Sequence, residues 1–135
     1  MKYFTEAELA CKHCGIYVLH PGFDLALDSL REVLALPMTV RSGCRCKVHN
    51  DRPAAQGGAG GHPRSLHVCD IPAHADKGQL GLLAVDIAAT DGPYRGKLFT
   101  VAWQRGWSIG WNAKTGFLHL DRRDWIGMTQ TTFDY

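Results

Sequence analysis

No apolar run in this chain approaches the length of a membrane span, and Met1 to Gly15 hold no apolar h-region of the kind that directs secretion. Membrane insertion is therefore not expected, and the chain is expected to be made and to fold in a reducing cytoplasm. Runs of like charge are also missing. The 15 lysines and arginines against 13 acids leave a formal net charge of +2, and apart from Arg122 and Arg123 the basic residues are scattered. A nucleic-acid partner, which needs a basic stripe, is not expected. Five cysteines, an odd number without a secretory signal, argue against a disulfide framework and for thiols or metal ligands. There is no internal repeat and no G-x-S-x-G turn, so a serine nucleophile is not expected either. At 135 residues the chain suffices for one domain, residues 1–135, with a core that needs no covalent staples.

The stretch present instead is Gly81 to Thr90, GLLAVDIAAT, with a later companion, GFLHLDR, at Gly116 to Arg122. Read as strands, Leu83, Val85 and Ile87 alternate with Ala84, Asp86 and Ala88, and Leu118 and Leu120 alternate with Phe117, His119 and Asp121. Each strand then buries an aliphatic face and turns a potential metal ligand to the other, with alanines leaving room for an approach. Taken singly, each polar residue reads equally as the wet side of a half-buried strand.

Around these strands, TEAE at Thr5 to Glu8 predicts a capping box and a short helix ending before Gly15. Pro21-Gly22 opens a longer helix with Phe23, Leu27, Leu30 and Leu34 inward and Asp24, Asp28, Arg31 and Glu32 outward, ended by Pro37. Met38 to Arg41 is a short candidate strand. Ser42 to Arg64, containing GGAGG, reads as a long functional loop, and Val68 to Leu80 as a second irregular segment. A helix from about Tyr94 to Gln104 follows, with Leu98, Val101 and Ala102 inward, then a hairpin of Trp107–Trp111 and Phe117–Arg122 around Asn112 to Thr115. The tail DWIGMTQTTFDY has no clear period. The predicted class is α+β: a small, mainly antiparallel sheet with N-terminal helices and one later helix. The four tryptophans are expected in the core and in cleft walls.

The order FTEAELAC-KHCG, LALP, TVRSGCR with HN, GG, S-x-H, A-V-D-I and F-L-H-L-D resembles the zinc D-alanyl-D-alanine carboxypeptidase family, which includes VanX and VanY peptidases and phage endolysins and shares its fold with the Hedgehog signalling domain. The similarity runs from about Phe4 to Asp121. It implies a Hedgehog-like fold, zinc as cofactor and His67, Asp86 and His119 as its ligands. It also implies Arg45 as the residue that binds a substrate carbonyl or carboxylate and stabilises charge in the transition state, a task suited to a bidentate, permanently charged group. A plain surface arginine is the alternative. Ser65 would orient His67 or contact substrate, and Asn50 with GGAGG would shape the cleft.

Two features depart from that pattern. The relatives place the aspartate ligand where His74 stands here; Asp86 lies about a dozen residues further on, which reads as a surface insertion over Val68 to Leu80. His74, Asp70 and Asp76 are rival ligands, although only Asp86 has the AVDIA strand context. Many relatives also carry an acid at the position of Gly116. Asp121 is then the candidate general base, or else a partner that holds an imidazole tautomer.

Cys11-x-x-Cys14 and Cys44-x-Cys46, with His49 nearby, could form a structural zinc site or be free thiols, and Cys69 reads as a free thiol. The expected function is a zinc peptidase acting on the stem peptide of bacterial peptidoglycan, as a D,D-carboxypeptidase or endopeptidase of phage or prophage endolysin type, reaching the wall through lysis machinery or a virion. A monomer is expected. A catalytically silent zinc-binding module and a purely structural domain are the alternatives.

Overall fold

The structure, a computed structural model, describes residues 1–112 and 114–135. Helix α1, Glu6–Leu9, opens on the Thr5–Glu8 capping box, in which each side chain satisfies the other residue's backbone N–H. Helix α2, Phe23–Leu34, buries Phe23, Leu27, Leu30 and Leu34 completely. Each such side chain stabilises the fold by about 1.5–3 kcal/mol relative to exposure. Ala35 ends this helix in the left-handed conformation (φ 58°), before Pro37 is reached. Helix α4, Gly92–Gln104, is capped by the Asp91 carboxylate accepting from the Tyr94 amide and carries proline in its first turn.

Five strands form one sheet in the order β1-β2-β4-β3-β5: β1 Val40–Ser42, β2 Ala84–Ala88, β3 Ser108–Trp111, β4 Phe117–Asp121 and β5 Thr132–Asp134. The first three pairings are antiparallel and β3 with β5 is parallel, so the α+β class holds and the sheet is mixed. Helix α4 packs on β3 and β4, and α2 packs on α4. The fully buried Val85, Ile87, Ile109, Leu118 and Leu120 belong to the same core as the inward residues of these helices and Trp107. No helix among the described residues is long and apolar enough to cross a membrane.

Four expectations are corrected. The strand near Met38 begins at Val40 and runs to Ser42. The segment Ser42 to Arg64 contains helix α3, Lys47–Asp51, whose N-cap is the Cys46 thiol accepting from the His49 amide. The glycine stretch then folds back on this helix: Ala59 donates to the His49 carbonyl at 2.8 Å and Gly61 to that of Asn50 at 2.8 Å. The tail, read as patternless, forms a short 3-10 turn at Arg123–Ile126 and then β5, whose partner is distant in sequence. Of the tryptophans, Trp107 is core, whereas Trp103, Trp111 and Trp125 are each more than a third exposed. The expected hairpin turn Asn112 to Thr115 includes Ala113, which lies outside the described residues.

Candidate metal centre

Strands β2 and β4 pair so that Asp86 stands directly opposite His119, with Ala84 opposite Asp121 and Ala88 opposite Phe117. Side chains of directly opposed residues share a face, so the period of two that buries the leucines brings this carboxylate and this imidazole together on the other side. His67 arrives from the preceding loop. Its backbone is held by the Ser65 hydroxyl, which accepts from the His67 amide at 3.2 Å, and by a short bridge in which Arg45 donates to the His67 carbonyl at 2.9 Å.

Three atoms converge: His67 Nε2 lies 3.1 Å from Asp86 Oδ1 and 3.2 Å from His119 Nδ1, and the last two are 3.1 Å apart. Zinc bound tetrahedrally at ~2.0–2.1 Å separates its nitrogen and oxygen ligands by roughly 3.3 Å, so this triangle is close to the size the ion requires.

The outer hydrogen bonds settle where the protons are. His67 Nδ1 lies 2.8 Å from the Gly43 carbonyl, which can only accept, so Nδ1 carries the hydrogen and Nε2 presents a lone pair inward. His119 Nε2 lies 2.8 Å from Asp121 Oδ2 and donates to it, so Nδ1 is the atom turned toward Asp86 and His67. Asp86 contributes a carboxylate oxygen. Three candidate ligand atoms thus face one another in a buried space, and a cation among them would take the place of the proton that His119 Nδ1 shares with Asp86 Oδ1.

The electrostatics keep the acids ionised. Burial works to raise the Asp86 carboxyl, but His67 and His119 outweigh it and hold the group well below the usual carboxylate range. Arg45 adds an ion pair at 3.0 Å with both side chains under a tenth exposed. Burial likewise opposes ionisation of Asp121, yet the Arg123 guanidinium and His119 hold it down at about 2. Burial pushes His67 down and keeps it neutral, whereas the hydrogen bonds that His119 donates to Asp121 and Asp86 outweigh burial and push it up.

Asp121 has both oxygens occupied. Oδ1 accepts from the Arg123 amide and Nε, and Oδ2 from Arg123 Nη2 at 2.7 Å and from His119. Asp121→Asn replaces that carboxylate–imidazole contact by a neutral one and is expected to weaken the affinity of this group for an added metal ion by roughly 10–100-fold, measured by competition with a chromophoric chelator.

A cleft of about 680 Å³ opens onto the centre, with His119, Arg45 and Tyr135 in its lining and His67 and Asp86 more deeply buried. Arg45 donates from Nε to Ser42 Oγ at 3.0 Å, from Nη1 to Asn50 Oδ1 at 3.3 Å and from Nη2 to Asp86, leaving two of a guanidinium's five N–H groups for a ligand. Asn50, fully buried, lines no part of the cleft and acts on Arg45 from behind. Gly61 is where that packing is tightest: a Cβ there would collide with Asn50 Oδ1 and come within 2.8 Å of Arg45 Nη1. The glycine-rich stretch therefore shapes the cleft by allowing the backbone against the guanidinium.

The rival ligands lie elsewhere. His74 contacts Arg64, through its Nδ1 at 3.1 Å from Nη2 and its Nε2 at 3.0 Å from the carbonyl. Asp70 caps the start of α3 by accepting from the Lys47 amide, and Asp76 faces Arg64 at 4.0 Å.

Tyr135 is a member of the site that the sequence reading missed. Its ring lies 4.5 Å from that of His119, with Phe133 at 5.5 Å, and its hydroxyl lies 3.4 Å from Asp86 Oδ2. Burial and the Asp86 charge push its hydroxyl up to about 12, so it stays a donor. The signal was present in the alternation of TFDY together with Gly110, since a Cβ on Gly110 would run into the Phe133 ring at 2.6 Å.

Cys11, Cys14 and Cys46 form a second group whose sulfurs lie within 4.8 Å of one another, and Cys44 is not part of it. The Cys44 thiol instead donates to the Val18 carbonyl at 3.7 Å and faces Cys69. Burial, with the neighbouring Cys11 and Cys14 sulfurs, pushes the Cys46 thiol up to about 11 against the pull of the His49 amide. The structure thus holds two candidate metal-binding groups among the described residues, one of imidazoles and a carboxylate and one of thiols. Compared with known protein families, with curated proteins and with solved structures, the chain matches none.

Proposed function

We propose that the chain is a zinc-dependent hydrolase of peptide amides next to a D-amino acid in bacterial peptidoglycan, a D,D-carboxypeptidase or endopeptidase of the endolysin type. The single observation that carries this reading is the triangle of His67 Nε2, Asp86 Oδ1 and His119 Nδ1, three inward-facing ligand atoms at 3.1–3.2 Å beside a cleft that also holds Arg45. Three protein ligands with one position left over is the pattern of a catalytic rather than a structural zinc. Zinc bound there would act as a Lewis acid and bring the pKa of a coordinated water to roughly 7.

The protein's own groups supply the rest. The Gly43 carbonyl and Asp121 fix the two histidines in the tautomers that face inward. Arg45, with two N–H groups outside its contacts with Ser42, Asn50 and Asp86, binds the oxygen of the scissile carbonyl or a terminal carboxylate, and the Tyr135 hydroxyl, which donates to Asp86 Oδ2, lies on the same side. Phe117, Met128, Phe133 and Tyr135 line the cleft with apolar surface that suits the methyl groups of alanine residues and excludes water. Asp121, with four hydrogen bonds on its oxygens, is assigned to orienting His119 rather than to taking a proton from water. Such an enzyme would be made in the cytoplasm as a monomer and would reach the wall through lysis machinery or a virion.

A second reading, a catalytically silent metal-binding module used in phage assembly or partner binding, is favoured by one feature. Gly116 holds the place where the resembled family carries an acid, and a Cβ there would already press on Thr90 Cγ2 at 2.9 Å. Digestion of defined muropeptides with the zinc-loaded chain, followed by mass spectrometry, separates the readings. The expected result is release of a new amine, abolished in His119→Ala. Zinc retained at His67, Asp86 and His119 without turnover of any wall peptide selects the silent module, and absence of metal from that centre overturns both.

A further inference from the structure

The thiol group lies apart from the cleft and plays no part in the proposed hydrolysis. Its three members come from two places in the chain. Cys11 and Cys14 follow α1, and Cys46 is the residue that caps α3. The His49 amide is directed back at the Cys46 sulfur at 3.4 Å. The two turns also lock together, since the Cys46 amide donates to Cys11 Sγ at 3.3 Å. C-x-x-C is a spacing at which structural zinc sites take two ligands, and backbone N–H groups aimed at sulfur are the outer hydrogen bonds that orient such ligands. Read with this geometry, the second turn is C-x-x-H, Cys46 to His49.

One imidazole adjoins the sulfurs and a second stacks on it. The rings of His13 and His49 stack at 5.7 Å with 6° between their planes, and His13 Nδ1 lies 3.3 Å from Cys46 Sγ. His49 Nδ1 is buried and has no hydrogen-bond partner. Sulfurs bound to one tetrahedral zinc at ~2.3 Å lie roughly 3.8 Å apart, inside the 4.8 Å limit that holds for this group.

We propose that Cys11, Cys14 and Cys46 bind a structural zinc ion, with an imidazole of the His13–His49 pair as fourth ligand. Such a site is closed, with no position left for a substrate. It clamps the end of α1 to the start of α3 and so fixes the backbone of Arg45, the residue before Cys46. This inference does not depend on the peptidase reading.

The test uses the full chain loaded with cobalt in place of zinc, together with alkylation of its thiols by iodoacetamide. Intense sulfur-to-cobalt charge-transfer absorption is expected, persisting in His67→Ala/His119→Ala and lost in Cys14→Ser, a change at an exposed position that the fold tolerates. Cys14, although exposed, should resist alkylation in the zinc-loaded wild type and react at once after chelation. Cys14 alkylated promptly in the presence of zinc, with no thiolate absorption from cobalt, overturns the site. His13→Ala and His49→Ala identify the fourth ligand: one of them shifts the cobalt spectrum, and a spectrum moved by neither overturns that part of the assignment.

Discussion

Asp86→Asn is expected to remove zinc from the histidine centre and to lower the melting temperature of the metal-free chain by roughly 10 °C or more. The substitution keeps the shape of the side chain and deletes its charge, so packing is not the cause. The larger part of the loss comes from Arg45, whose side chain is 8% exposed and pairs with Asp86 at 3.0 Å. Breaking one half of a buried pair typically costs about 3–5 kcal/mol, because the remaining charge stays desolvated without a partner. Calorimetry of the chelated proteins reads this cost, and metal analysis of the loaded proteins reads the ligand loss. A metal-free variant as stable as the parent would mean that Arg45 does not depend on Asp86.

Arg45→Lys is expected to leave zinc content unchanged and to lower kcat by about 100- to 1,000-fold on a cleaved muropeptide. Lysine keeps the positive charge opposite Asp86 but loses the planar fork that reaches Ser42, Asn50 and Asp86 and still offers two N–H groups to a ligand. Steady-state kinetics with metal analysis of the same sample is the check. A drop confined to KM would assign Arg45 to ground-state binding alone.

Two members of the histidine centre were legible because their placement follows from a two-residue period, whereas His67, on a loop, entered only through the family resemblance. Once VDI and HLD are strands, Asp86 and His119 must leave the leucine-bearing face, and antiparallel register needs only to bring them opposite. The capping box at Thr5 was legible because it is local. Helix α3 was not, for its cap is a cysteine, a type outside the usual Ser, Thr, Asp and Asn, and the glycines after it suggested an open loop. Those glycines are ordered by hydrogen bonds to α3 that no composition announces. Strand β5 escaped for another reason: it has three residues and pairs with β3, across an intervening strand and turn. Tyr135 was missed with it. Cys44 was grouped with Cys46 because two residues apart suggests a shared side, yet the chain bends into the α3 cap and sends Cys44 towards Val18.

The segment from Gly43 to Cys46 touches both candidate metal-binding groups, since the Gly43 carbonyl holds His67, Arg45 meets Asp86, and Cys46 belongs to the thiol cluster. Ordering these four residues at either end therefore prepares the other. Ions entering the two centres would load cooperatively, each raising the affinity for its counterpart by the same factor, and a cell short of zinc would hold a mixture of full and empty chains with few half-filled ones.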